Sequence, residues 1–172
     1  MKRRTAVIAG IAVAAGAAGT GAALWRLLDA RPDLPPDFWT LRFEQPEGGD
    51  LVLAALRGQP LLLNFWATWC APCVTEMPLL DAFQRAQRGR GWQVVGLAVD
   101  SPTPVRRFIA KRPVGFAIGL AGLNGVDLAR SLGNPTGGLP FTVVIDRSGR
   151  ARDRKLGALA PNDLDAWAGS EG

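Results

Sequence analysis

The chain has no histidine and no tyrosine, and only two cysteines among its 172 residues. Without histidine there is no Ser-His-Asp or Cys-His nucleophile arrangement, no His-ligated zinc and no haem held by a proximal His. Two cysteines are too few for a four-thiolate zinc or iron–sulfur site. Proton transfer near neutral pH therefore falls to carboxylates, thiols or lysine. Acidic residues are the scarcer charge, 15 against 20 Lys+Arg, for a net of +5. The basic residues are scattered apart from two groups. Arg106, Arg107, Lys111 and Arg112 read as the solvated face of a helix, and Arg147, Arg150, Arg152, Arg154 and Lys155 as a hairpin. No basic patch is interleaved with stacking aromatics, so nucleic acid is not an expected partner. At 48% hydrophobic residues the composition is globular rather than disordered.

Charge is also missing from Thr5 to Trp25, a run of 21 residues that follows Lys2, Arg3 and Arg4. As a helix that run would be about 31 Å long, enough to cross a bilayer core, with the basic residues kept on the cytoplasmic side. It is rich in Ala and Gly, so a cleaved signal peptide, with Ala18 or Ala23 at the cleavage site, is the alternative. Both readings place the rest of the chain outside a cytoplasmic membrane. The expected layout is an anchor or signal over residues 1–25, a Pro-rich linker over 26–37 and a catalytic domain over 38–172. Beyond residue 25 the chain holds 17 Lys+Arg and 15 Asp+Glu, a net of +2.

Within the domain, Phe38–Phe43 alternates enough to predict a strand, and Leu51–Leu56 a short strand or helical turn. Pro60–Trp66 and Trp92–Val99 are continuous apolar runs of strand length, the pattern of central strands covered on both faces. Val74–Arg88 has apolar residues at helical spacing. A helix is expected from Ser101 to about Lys111, a strand over Phe116–Leu120 and a short helix over Val126–Leu132. Phe141–Asp146 and Ala151–Leu156 read as an antiparallel pair around the Asp146-Arg147-Ser148-Gly149 turn, and Asn162–Trp167 as a closing helix. Strands alternating with helices, then a terminal hairpin, predict an α/β fold with a mixed central sheet flanked by helices.

Both cysteines lie in Trp69-Cys70-Ala71-Pro72-Cys73, between the first apolar strand and the following helix. C-x-x-C at such a junction is a redox signature. The unpaired N–H groups and macrodipole of a helix N-terminus favour an anion. They would bring the pKa of Cys70 from about 8.5 to about 7 or below, making it a nucleophilic thiolate. Cys73, one turn along, is placed to resolve a mixed disulfide. Pro72 suits a first turn, where its missing N–H has no partner to lose. As a purely structural staple the pair is poor, since closing so short a loop constrains the unfolded chain by only about 2 kcal/mol. As a metal site it lacks further ligands, and c-type haem attachment would need a histidine where Val74 stands. No cofactor is expected.

The segment NFWATWCAPCVTEMPLL resembles the active-site segment of membrane-tethered thioredoxin-like proteins of the TlpA/ResA type. Gly137–Asp146 resembles that family's cis-proline loop and following strand, and FEQPEGGDLVLAALRGQPLLL its added N-terminal β-hairpin. The likeness covers about residues 37–168. It implies a thioredoxin-like fold and a cis Leu139–Pro140 bond beside the two sulfurs. It also implies that Cys70 is the nucleophile, Cys73 the resolving thiol and Leu139 a backbone partner for an extended substrate. Trp69 would flank the site, whereas Trp66 reads as core. Glu76 matches an acidic residue taken to influence thiol acidity, against the plainer reading of a solvated first-turn carboxylate. Asn64 stands where thioredoxin has a buried strand carboxylate; it cannot titrate, so Glu76 is the remaining acid–base candidate. The acidic residue near the cis-proline loop of the cytochrome-maturation branch is absent, which speaks against an apocytochrome-specific role.

The expected function is a thiol–disulfide oxidoreductase acting outside the cytoplasmic membrane on protein disulfides, kept reduced by a thiol-reducing membrane electron donor. The direction of electron flow is not readable from sequence. Two alternatives are a thiol peroxidase and a copper or thiol chaperone. The first expects Thr three residues before the reactive cysteine, and Thr68 is two before Cys70. The second expects a histidine beside the cysteines.

Overall fold

The computed structural model describes residues 33–169, so the segment expected to be an anchor or signal lies outside the described residues, as does most of the linker. Among the described residues no helix is long and apolar enough to cross a membrane.

The strand β3 (Leu61–Trp66) is buried along its whole length, as its unbroken apolar run predicts. It pairs in parallel with β4 (Gln93–Ala98) and antiparallel with β6 (Phe141–Ile145). β5 (Ala117–Leu120) adds in parallel to β4, and β7 (Ala151–Leu156) antiparallel to β6. The resulting mixed sheet has the order β5-β4-β3-β6-β7. Successive side chains of a strand point to opposite faces, and β3 separates two cores in this way. Leu62 and Trp66 pack with Met77, Leu80, Val105, Ile109, Leu164 and Trp167. Those residues come from α1 (Ala71–Gln87), α2 (Pro102–Lys111) and α4 (Pro161–Gly169). Leu61, Leu63 and Phe65 pack on the other face with Phe38, Leu53, Ala129 and Leu132. There the cover is α3 (Asn124–Ser131) and the N-terminal hairpin of β1 (Arg42–Glu44) and β2 (Asp50–Val52).

The hairpin lies against the sheet at Gly119, where a Cβ would stand 2.9 Å from both Leu97 Cδ2 and the Cβ of Phe43. Only glycine permits that approach. Arg106 of α2 donates to the Pro46 carbonyl at 3.1 Å and pairs with Glu44, fastening the hairpin turn to the helix.

The strand expected over Phe38–Phe43 is shorter than its pattern. Phe38–Thr40 is a 3₁₀ turn, and only Arg42–Glu44 is extended. The Pro35 carbonyl takes the Phe38 N–H, and the Asp37 carbonyl takes both the N–H and hydroxyl of Thr40. Local turn bonds therefore override the alternation, and Phe38 is fully buried edge-on to Trp39. Leu51–Leu56 is both things expected of it, strand to Val52 and then a 3₁₀ turn. α1 begins at Ala71 rather than Val74 and continues past an interior Pro78. That proline cannot donate to the Val74 carbonyl, and burial of Met77, Leu80 and Phe83 on the same helix offsets the loss.

Candidate active site

Strand β3 ends at Trp66, and four residues later Cys70 caps α1. The intervening loop is tied to the end of β4. Asp100 Oδ2 accepts from the Thr68 N–H at 3.0 Å and from its hydroxyl at 2.5 Å, and the Val99 N–H donates to the Trp66 carbonyl at 2.8 Å. Sequence reasoning passed over Asp100. Its signal is an aspartate at the end of a buried strand, level with the end of the neighbouring strand that leads to the cysteines.

Cys70 and Cys73 are joined as a disulfide, S–S 2.01 Å, with Cα atoms 5.3 Å apart. The Cys73 N–H donates to Cys70 Sγ at 3.3 Å, so the first sulfur takes the place of a capping side-chain oxygen. Such a donor is worth more to a thiolate than to a thiol. Cys70 keeps 6% of its surface and Cys73 none. Trp69, beside them, is 70% exposed, whereas Trp66 is fully buried core.

Glu76 is not a solvated first-turn carboxylate. It is 3% exposed and lies one turn beyond Cys73, on the same face of α1. Asn64 Nδ2 donates to its Oε1 at 2.8 Å, and the Leu159 N–H donates to its Oε2 at 2.8 Å. Asn64 Nδ2 also reaches Thr142 Oγ1 at 3.1 Å. Burial pushes the Glu76 carboxyl above its ordinary value; the Leu159 N–H, Asn64 and the charge of Lys155 act the other way. The net effect is a carboxyl that holds its proton more readily than one in water.

The Leu139–Pro140 peptide bond is cis, as the resemblance implied. Phe141 is paired with Phe65, which sets Pro140 at the same end of the sheet as the loop leading to Cys70. Pro140 is buried, and its carbonyl accepts the Gly157 N–H at 2.8 Å. Leu139 is half-buried and packs against the core cluster that contains both cysteines. The loop before it is built on buried Asn134, another residue that sequence reasoning missed. Asn134 Nδ2 donates to the Gly138 carbonyl at 2.8 Å, its Oδ1 accepts from Thr136 at 3.0 Å, and its own carbonyl accepts the Gly137 N–H at 3.1 Å. Gly137 has φ +67°, a conformation that favours glycine. The arrangement has a capped sulfur, a second, fully buried sulfur bonded to it, a buried proton-holding carboxyl and a braced loop, which suits thiol–disulfide exchange.

A family model described as Redoxin matches residues 34–167. A thiol-disulfide oxidoreductase ResA from Bacillus anthracis is 27% identical over 122 residues, covering 70% of this chain and 68% of that protein. A ResA from Oceanobacillus iheyensis is 29% identical over 138 residues, covering 78% and 69%. Among solved structures, a thioredoxin-family thiol:disulfide interchange protein from Chlorobium tepidum superposes with a TM-score of 0.71 at 26% identity, covering 83% of this chain and 98% of that one.

Proposed function

Because the chain belongs to the Redoxin family and is a thiol–disulfide oxidoreductase of thioredoxin-like fold with a Cys70–Cys73 couple, we propose that it reduces protein disulfides outside the cytoplasmic membrane. In the reduced protein the Cys70 thiolate attacks one sulfur of a substrate disulfide. The substrate S–S bond breaks, a Cys70–substrate disulfide forms and the first substrate thiolate leaves. Cys73 then gives its proton to the Glu76 carboxylate and attacks Cys70 Sγ. The Cys70–substrate bond breaks, the Cys70–Cys73 bond forms and the second substrate thiolate leaves, taking a proton from water, while Glu76 returns the Cys73 proton to water. Two thiols of the enzyme have been oxidised and one substrate disulfide reduced.

The observation that carries this reading is a helix amide on Cys70 Sγ together with a buried carboxyl one turn beyond Cys73 on the same helix. Trp69 and Leu139 would offer the surface and backbone to an extended substrate, and Pro140, without an N–H, would keep the loop inert toward the Cys70 thiolate. Thr68, already at the wrong spacing for a peroxidase, gives its hydroxyl to Asp100 rather than to the reactive sulfur. The extracytoplasmic location rests on Lys2-Arg3-Arg4 followed by the uncharged run from Thr5 to Trp25. The proposed layout is an anchor over 1–25, a linker over 26–37 and the catalytic domain over 38–172, recharged by a thiol-reducing membrane donor. A soluble mature form beginning near residue 19 or 24 would replace the anchor by a cleaved signal.

The test is reduction of insulin disulfides by the pre-reduced full chain. Cys70→Ser abolishes turnover, and Cys73→Ser accumulates a mixed disulfide at Cys70. Activity surviving in Cys70→Ser, or peroxide consumption outpacing insulin reduction, would overturn the proposal.

A further inference from the structure

Strand pairing sets three polar residues in a row across the sheet. Asn64 of β3 lies opposite Thr142 of β6, and Thr142 lies opposite Lys155 of β7. Directly paired residues share a face, and this is the face on which Asn64 meets Glu76. At the far end of the row Lys155 Nζ donates to Asp163 Oδ2 at 2.6 Å, with both side chains about a quarter to a third exposed. The same turn of chain grips both carboxylates. The Leu159 N–H goes to Glu76 at 2.8 Å, and the next amide, Ala160, goes to Asp163 Oδ2 at 2.7 Å.

We propose that Lys155, anchored by Asp163 at the end of this row, is a positioning residue for the exchange chemistry of Cys70 and Cys73, acting through Glu76. The inference rests on the reading of Glu76 as proton acceptor for Cys73. The lysine charge favours the ionised carboxyl, as it already does against burial, and the Asp163 carboxylate offsets part of that charge. The Leu159 amide and Asn64 favour the ionised carboxyl more than Lys155 does, but as neutral groups they supply no charge balance. α1 contributes the two cysteines, β3 and β6 the neutral Asn64 and Thr142, and β4 only Gly96 opposite Asn64. On β7, Asp153 accepts from Trp167 Nε1 at 2.9 Å. A plain lysine–aspartate brace for the turn would respond differently: removing either partner would loosen the Leu159 amide on Glu76 in the same direction.

The experiment is the pH profile of insulin-disulfide reduction by the reduced full chain. Lys155→Met moves the acidic limb to higher pH, slowing turnover on that limb roughly threefold or more while the alkaline plateau stays unchanged. Lys155→Arg restores the wild-type limb. Asp163→Asn, which keeps an oxygen for the Ala160 amide, moves the limb to lower pH. Lys155→Met adds no shift in a Glu76→Gln background. If Glu76→Gln alters the profile but the Lys155 and Asp163 variants shift it the same way, or not at all, the role of Lys155 is refuted and that of Glu76 stands. If Glu76→Gln leaves the profile at wild type, the underlying reading of Glu76 falls, and the inference with it.

Discussion

Replacing Asn64 by Asp restores the carboxylate that thioredoxin carries on this strand, but here it would meet a second one. Asn64 is fully buried, Glu76 is 3% exposed, and 2.8 Å separates Nδ2 from Oε1. Two ionised carboxylates about 3 Å apart repel by about 5–6 kcal/mol at an effective dielectric of about 20, equivalent to about four pH units. The native pair therefore keeps one shared proton through neutral pH, as coupled dyads do. In the unfolded chain both carboxyls are ionised above about pH 5. Over that window the native state binds one proton more than the unfolded state, so stability falls with rising pH, by about 1.4 kcal/mol per unit. From pH 5.5 to 7.5 the loss is about 3 kcal/mol. In the wild type the raised Glu76 carboxyl gives the same sign of slope, ending where Glu76 ionises, and Asn64→Asp extends it to higher pH. The assay is chemical denaturation of the oxidised protein across pH 5 to 8. Curves for variant and wild type that run parallel over the whole range would refute the contact between the two side chains.

In the reduced protein near pH 7, iodoacetamide labels Cys70 and spares Cys73, because of the two residues only Cys70 keeps any exposure and its sulfur carries the helix amide; peptide mapping that finds Cys73 labelled equally contradicts the assignment. Asp100→Ala strips two hydrogen bonds from Thr68 and lowers stability by about 1–3 kcal/mol, with a broader range of Cys70 labelling rates, read by denaturation and alkylation kinetics. Asn134→Ala takes their partner from the half-buried Gly138 carbonyl and from the Thr136 hydroxyl, at a cost of about 1 kcal/mol. It slows insulin reduction while leaving Cys70 alkylation at the wild-type rate; an equal fall in both would place Asn134 in the thiol chemistry rather than the substrate loop.

What was legible in the sequence is what depends on neighbours along the chain. Cys70 and Cys73 fall at the junction of an unbroken apolar run and a helical pattern, so their redox character follows from a few local residues. The burial of β3 on both faces follows from the same run, and the terminal hairpin from its turn residues. Local bonds could also mislead, as at Phe38–Thr40, where turn hydrogen bonds from Pro35 and Asp37 displace an apparent strand. The surroundings of Glu76 depend on pairings across the chain. Its partners are Asn64, 12 residues before it, and Leu159, 83 residues after it. Lys155 joins them only because β7 pairs with β6 and β6 with β3. No periodicity within the helix distinguishes a glutamate that faces water from one that faces the sheet beside a cysteine. Strand order decides that, because it determines which side chains share the low-dielectric space behind Cys73, and in that space burial, not local sequence, sets where the proton sits.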